Sequence, residues 1–276
     1  MILFDNSKYG KIINPLKEVT INNLFARTVV EKKVIGSVYV DNVENPKTYY
    51  IKHPYGMSLL FGETGKDDFN SNFIDYALNT FRIRDNDEWL QAFPDSWNKM
   101  ISDLFGNNLI KSKDNIGNDN NRKIEENTRV NFKFNKKKYL DFKFRSSNKE
   151  YNIVRTDKEM YENMHGSVVP KYFWKDAGQF FDYGIGFSLI YENRVASTAY
   201  SAFIHDDQLE LGIETVESCR GKGFAIQTCS ALIDYCLDNN YEPVWACRLE
   251  NIGSYKLAQK LGFEPTIYIP FYRLNS

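Results

Sequence analysis

The 276-residue sequence predicts an α/β (α+β) chain, and three observations carry that reading. Residues 208–214 alternate Leu209, Leu211 and Ile213 with Glu210, Gly212 and Glu214, the period-two pattern of a half-buried strand. Ala225, Ile226, Cys229, Leu232, Ile233, Cys236 and Leu237 recur at three- and four-residue steps, one face of an amphipathic helix. Runs at 187–191 and 195–203 flank Glu192-Asn193-Arg194 as a β-hairpin.

Taken in order, residues 15–33 predict one helix, with Leu16, Val19, Leu24, Phe25 and Val29 at helical steps and Pro15 in its first turn. Strands follow at 35–40, 48–52 and 57–61, separated by turn-forming segments around Pro46 and Pro54-Tyr55-Gly56. Phe69, Phe73, Ile74, Ala77 and Leu78 mark a helix over 67–80. A strand at 88–93 leads to a short helix opened by Pro94-Asp95-Ser96 and stopped at Gly106. Residues 106–127 are Asn-rich and charged, with little to bury, and read as a mobile loop or linker, with an acceptor-gating loop as the alternative. Val130, Phe132 and Phe134 alternate as a strand, and Lys136-Lys137-Lys138 reads as a solvated hairpin end. A strand at 151–155, a helix from Asp157 to Met164 and a helix starting at Pro170, with Phe180 and Phe181 at its far end, complete the approach to the hairpin.

The charge balance of 35 Lys plus Arg against 36 Asp plus Glu argues against a dedicated nucleic-acid or acidic-membrane binder. The N-terminus lacks the charged and apolar regions of a signal peptide, and no apolar run approaches membrane-spanning length, so a cytoplasmic protein is expected. Cys219, Cys229, Cys236 and Cys247 match no zinc spacing and read as reduced thiols. No pair among His53, His165 and His205 has metal-ligand spacing, so no metal is expected.

Between the strand pattern at 209–214 and the helix after it lies a turn, 217–223, holding Arg220, Gly221, Lys222 and Gly223. The first amides of a helix have no intrahelical partner, and the macrodipole places partial positive charge there. A strand feeding a Gly-rich turn that opens a helix is therefore an anion site, and a phosphate is the expected ligand. The turn lacks the Gly and Ser/Thr positions of a Walker loop and the third Gly of a Rossmann fingerprint. What Arg220-Gly221-Lys222-Gly223-Phe224-Ala225 resembles is the Arg/Gln-x-x-Gly-x-Gly/Ala loop of the GCN5-related N-acetyltransferase (GNAT) superfamily. Downstream, a strand at 243–247, the helix opened by Asn251-Ile252-Gly253-Ser254, and Leu261-Gly262-Phe263 resemble that family's next module. The likeness covers residues 151–276, and the N-terminal half resembles the branch that includes zwittermicin A resistance acetyltransferases.

The resemblance implies the GNAT fold, a mixed, mostly antiparallel central sheet flanked by helices, with acetyl-coenzyme A as cofactor. It implies an N-terminal half, 1–135, and an acetyltransferase domain, 136–276. Gly62-Glu63-Thr64 ahead of Ile74-Asp75-Tyr76-Ala77-Leu78 mirrors Ile213-Glu214-Thr215 ahead of Ile233-Asp234-Tyr235-Cys236-Leu237, so the first half reads either as a degenerate copy of the same fold or as chance similarity. On the family pattern, the backbone of Ile213, Thr215 and Val216 and the turn Arg220, Gly221, Lys222, Gly223, Phe224 and Ala225 hold the coenzyme, with Asn251 and Ser254 at the pantetheine and thiol. Glu214 and Glu210 share one face of the strand, and either could take the amine proton or bind a cationic acceptor. Most members carry a Tyr where this chain has Ala258, which leaves Ser254, Tyr255, Tyr268 or a water to serve the departing thiolate. The expected reaction is acetyl transfer to a primary amine of a small molecule by direct attack in a ternary complex. The expected protein is a monomer or homodimer with no nucleic-acid or membrane partner. The alternative is an acyl-coenzyme A-binding sensor module with little transferase activity.

Overall fold

A computed structural model describes residues 1–111, 123–143 and 151–276. In chain order its elements are β1 (Ile2–Leu3), α1 (Gly10–Lys17), α2 (Leu24–Val30), β2 (Ser37–Val40), β3 (Thr48–Lys52), β4 (Met57–Gly62), α3 (Asp67–Ala77), β5 (Glu88–Phe93) and α4 (Ser96–Phe105). There follow β6 (Leu109–Lys111), β7 (Ile124–Phe134), α5 (Lys136–Lys143), β8 (Asn152–Arg155), α6 (Lys158–Asn163), α7 (Ala177–Tyr183), β9 (Gly186–Tyr191), β10 (Arg194–His205) and β11 (Gln208–Thr215). The chain closes with α8 (Phe224–Asp238), β12 (Glu242–Val244), β13 (Ala246–Arg248), α9 (Ile252–Lys260) and β14 (Phe263–Leu274). Two compact units are formed, one from Met1–Arg129, Arg248–Glu250 and Tyr268–Ser276, the other from Val130–Cys247 and Asn251–Ile267. The units interleave in sequence, where the sequence reading draws a single cut at 135/136.

In the first unit β1, β2, β3 and β4 pair antiparallel in that order and β5 joins β4 in parallel. The C-terminal residues 272–274 of β14 add antiparallel to β5. Helices α3 and α4 close a core around Tyr50, Phe73, Trp97, Phe105 and Tyr272. A buried carboxylate sits in it: Glu88, 1% exposed, accepts from the hydroxyls of Tyr50 and Tyr76 and pairs with Lys52 Nζ at 3.2 Å. Burial beside that carboxylate holds both phenols well above their ordinary range.

The second unit repeats this order. Strands β8, β9, β10 and β11 pair antiparallel in sequence and β12 joins β11 in parallel. Two helices separate the first and second strands of each set, and one helix links the fourth to the fifth. α8 packs on β9, β10 and β11 through Phe224, Thr228, Cys229, Leu232, Ile233 and Cys236. The expected stripe holds at Cys229, Leu232, Ile233 and Cys236, but Ala225, Ile226 and Leu237 are only half-buried, and Phe224 is the buried residue that opens the helix. Burial pushes the Cys236 thiol up to about 12 and Cys229 further, so both are apolar filling and not nucleophiles.

Four predicted elements come out differently. The helix expected over 15–33 is two, with Pro15 inside the first; Asn22 and Asn23 break it by bonding backbone, Asn22 Oδ1 accepting from the Leu24 amide and Asn23 Nδ2 donating to the Val19 carbonyl. The basic run 136–138 opens helix α5, because the Asn135 side chain accepts from the Lys138 amide and Tyr139 anchors the helix through its hydroxyl, 2.8 Å from Asp234. The segment from Pro170 is a 3-10 turn, and the helix proper starts only after Asp176 caps it. Of the predicted loop at 106–127, residues 109–111 are strand β6, paired in parallel with the start of β7, while 112–122 lie outside the described residues.

Candidate functional site

The second unit holds a cleft of about 600 Å³ where β11 gives way to α8, lined among others by Ile213, Gly221, Phe224, Ala225, Asn251 and Ser254. It exists because two parallel strands part company. β12 pairs with β11 only from Gln208↔Glu242 to Glu210↔Val244. At Trp245 the chain turns away, and the Trp245 carbonyl accepts from the amide of Phe132. The predicted single strand at 243–247 is thus broken into β12 and β13.

What β11 offers to the gap follows from its other edge. The Val216 amide donates to the Ala196 carbonyl at 3.0 Å, within the register that pairs Ser197 with Thr215 and Thr198 with Glu214. An antiparallel ladder bonds alternate residues, so even-numbered residues face β10 while the backbone of Ile213 and Thr215 faces the gap. Of the three amides expected to serve a ligand, Val216's is therefore committed to the sheet and Thr215's to the Glu214 carboxylate.

The far wall of the mouth is the start of α8. Gly221 and Gly223 adopt φ of 79° and 81°, a left-handed conformation that disfavours any residue with a Cβ. A Cβ at either position would meet nothing within 4 Å, so the glycine backbone borders open space. Gly223 caps α8 with no side-chain bond to its first turn, which leaves the amides of Phe224 and Ala225 directed out of the helix end. Arg220 stands beside them, its Nε donating to the Thr215 carbonyl at 3.2 Å. Lys222 does not line this cleft; its Nζ lies over the Tyr191 ring, 4.8 Å from the centroid. Lys260, from the last turn of α9, lines it instead.

On the α9 side Asn251 is the helix cap, its Oδ1 accepting from the Ser254 amide at 3.1 Å. Ser254 Oγ accepts from the Trp245 indole at 3.2 Å, which turns its own hydroxyl hydrogen to other partners. Ala258 is fully buried under this helix, so the face where a longer side chain would stand is closed by packing. Tyr255 packs on Phe132, and Tyr268 belongs to the first unit.

The two strand carboxylates separate. Glu210 is 6% exposed and lines neither this cleft nor its neighbour. Glu214 lines both: a second cleft of about 600 Å³, walled by Met160, Met164, His165, Val195, Val216 and Glu217, shares Glu214, Thr215 and Arg220 with the first. Glu214 Oε2 accepts from the amides of Ser167 and Val168 at 3.0 and 3.1 Å, and Oε1 accepts from the Thr215 amide at 3.2 Å. Its face is thus filled by the loop at 166–168; the family resemblance puts Met164-His165-Gly166-Ser167 on the acceptor side, but nothing in the sequence tied that segment to Glu214. Of the other histidines, His53 is buried in the first unit with its pKa lowered to about 3 by desolvation, and His205 pairs with Asp206 at 3.2 Å. Among the described residues no group of His, Cys, Asp and Glu could hold a metal ion, and no helix is long and apolar enough to cross a membrane.

Comparison with known proteins bears on this site. A family model described as GNAT acetyltransferase matches residues 14–272. An uncharacterized N-acetyltransferase of Bacillus subtilis (strain 168), YdfB, is 25% identical over 251 residues, covering 88% of this chain and 89% of the relative. A GCN5-related N-acetyltransferase-like protein from Streptococcus suis 89/1591 is similar in structure, with a TM-score of 0.69 at 20% identity over 97% of this chain and 99% of that one. A tandem GNAT protein from the clavulanic acid biosynthesis pathway is similar at a TM-score of 0.57 and 9% identity, over 98% and 95% of the two chains. These two likenesses bear on the fold, and the tandem protein agrees with the two-unit repeat.

Proposed function

Since this chain belongs to the GNAT acetyltransferase family, we propose that it transfers an acetyl group from acetyl-coenzyme A to a primary amine of a small molecule, by direct attack in a ternary complex. The observation that carries the reading is the parting of β11 from β12 at Val244, directly beside an uncapped helix start. The residues present fit the coenzyme. The first-turn amides of α8, with Arg220 and Lys260, would receive its diphosphate, and the open space at Gly221 and Gly223 lets phosphate approach backbone. The backbone of Ile213 would bond the pantetheine arm, as a strand bonds a peptide laid along its edge, while the Thr215 amide is held by Glu214. When bound, acetyl-coenzyme A supplies the reactive thioester.

Around that thioester the chain's own groups have assigned tasks. Asn251 starts α9 so that Ser254 faces the cleft. Ser254, its oxygen already engaged by Trp245, hydrogen-bonds the departing sulfur, and the proton that the amine loses on attack passes through solvent to that sulfur, giving amide and free thiol. The second cleft, walled by Met160, Met164 and His165, receives the acceptor amine. We place the chain in the branch resembling zwittermicin A resistance acetyltransferases, whose small-molecule acceptors suit such a cleft. The first unit is a degenerate copy of the fold that has lost its coenzyme turn.

Calorimetry with coenzyme A tests the cofactor assignment, and turnover of acetyl-coenzyme A against a panel of small amines tests the reaction. Coenzyme binding with acetylated product supports the proposal. No heat of binding sinks the cofactor assignment, and binding without turnover across the panel sinks the enzyme.

A further inference from the structure

Glu214 sits where a strand carboxylate could serve as a base, yet its oxygens are already occupied by the protein. Oε2 takes the amides of Ser167 and Val168, Oε1 takes the Thr215 amide, and Arg220 Nη2 lies 3.6 Å from Oε1. Gly166 leaves no room between loop and carboxylate: a Cβ there would lie 2.4 Å from Oε2, and its φ of +147° further disfavours a side chain. The Glu214 side chain is 13% exposed, whereas Arg220 is 62% exposed and held by one hydrogen bond from its Nε to the Thr215 carbonyl. Ser167 and Val168 line the first cleft, His165 and Gly166 the second, so the loop is the partition between them.

We propose that Glu214 is a positioning residue that pins the loop at 166–168 as the wall between the two clefts and releases Arg220 to the diphosphate when coenzyme binds. The geometry makes the two roles exclusive for Arg220 and additive for the loop. A guanidinium beside Oε1 draws on the same negative charge that holds the two loop amides. Once a diphosphate takes Arg220, that charge bears on Ser167 and Val168 alone, and the partition tightens around bound coenzyme. The second half of the proposal rests on the coenzyme reading above; the first half does not.

Amide hydrogen exchange across residues 164–169, resolved to Ser167 and Val168, is the test. Losing a hydrogen bond to a charged acceptor opens an amide by about tenfold to a hundredfold, so Glu214→Ala should speed both amides by that factor while β10 amides stay unchanged. Glu214→Gln, which keeps an acceptor oxygen, should restore most of the protection and guard against a folding defect. Saturating coenzyme A should slow both amides in the wild type, and Arg220→Ala, at an exposed position, should slow them without ligand. Equal exchange in wild type and Glu214→Ala overturns the pinning. If calorimetry shows coenzyme A bound while both amides keep their ligand-free rate, the release of Arg220 is wrong. If calorimetry shows no binding, the coenzyme reading fails, and the pinning stands or falls on Glu214→Ala alone.

Discussion

The two units carry the same corner, a strand whose parallel neighbour follows after one helix, and they finish it differently. In the first unit β4 stays zipped to β5 over five pairs, from Met57↔Trp89 to Phe61↔Phe93. In the second, β11 and β12 share three pairs and then part. The link into the helix is residues 63–66 in one case and 216–223 in the other. The short link delivers Asp67 and Asp68 to the first turn of α3, where they satisfy the macrodipole with the protein's own charge. The long link delivers two left-handed glycines and Arg220 and leaves the end of α8 open. One corner is sealed and one is open, from the same arrangement of strands. The proposed binding site is made by what the fold leaves unpaired.

The largest effect expected from breaking this contrast falls on the sealed unit. Glu88→Ala takes the acceptor from two buried phenols and the counter-ion from partly exposed Lys52, and removing one partner of such a buried charged network costs about 3–5 kcal/mol. Denaturant unfolding should show that loss while coenzyme A affinity in calorimetry stays unchanged; an equal fall in affinity would mean the units do not divide the labour. Next comes Gly223→Glu, which sets a side chain and a negative charge at the open mouth. It should weaken coenzyme A by about a hundredfold or more, roughly 3 kcal/mol, with the circular dichroism spectrum retained. The matching change in the sealed corner, Lys66→Glu, should leave coenzyme binding untouched.

Acid should distinguish the units through His53. Its pKa is lowered in the folded state to about 3 from an ordinary 6.5, because burial disfavours the charged ring. The unfolded chain therefore takes up the proton first as pH falls. The stability that neutral His53 contributes is complete above about pH 6.5 and is lost toward pH 3, at up to about 1.4 kcal/mol per pH unit. His53→Gln should flatten the pH dependence of unfolding in that window, and an unchanged slope would place the acid sensitivity elsewhere. The smallest expected effect is a null one. Replacing residues 63–66 with a copy of residues 216–223 should leave one coenzyme A bound per chain, because β5 still covers the edge of β4. A second equivalent site would show that the turn alone makes the receptor.

The local code of the corner was legible in the chain. Period two in Leu209, Leu211 and Ile213 and helical steps from Cys229 to Cys236 set the elements, and two glycines four and six residues after Glu217 set a turn no other residue type takes easily. Asn251 as a helix cap and Gly262 at φ 86° likewise follow from side-chain chemistry acting over a few residues. Tertiary structure alone decided the rest. Whether Glu214 reacts or anchors depends on a loop 46 residues away in sequence, Val168, whose amide reaches its Oε2. That Lys222 leaves the cleft for Tyr191 while Lys260 enters it, and that β12 abandons β11 at Val244, are outcomes of long-range packing and pairing. Short-range patterns specify where backbone bends and which face is apolar; only the assembled sheet specifies which polar groups are already satisfied and which remain for a ligand.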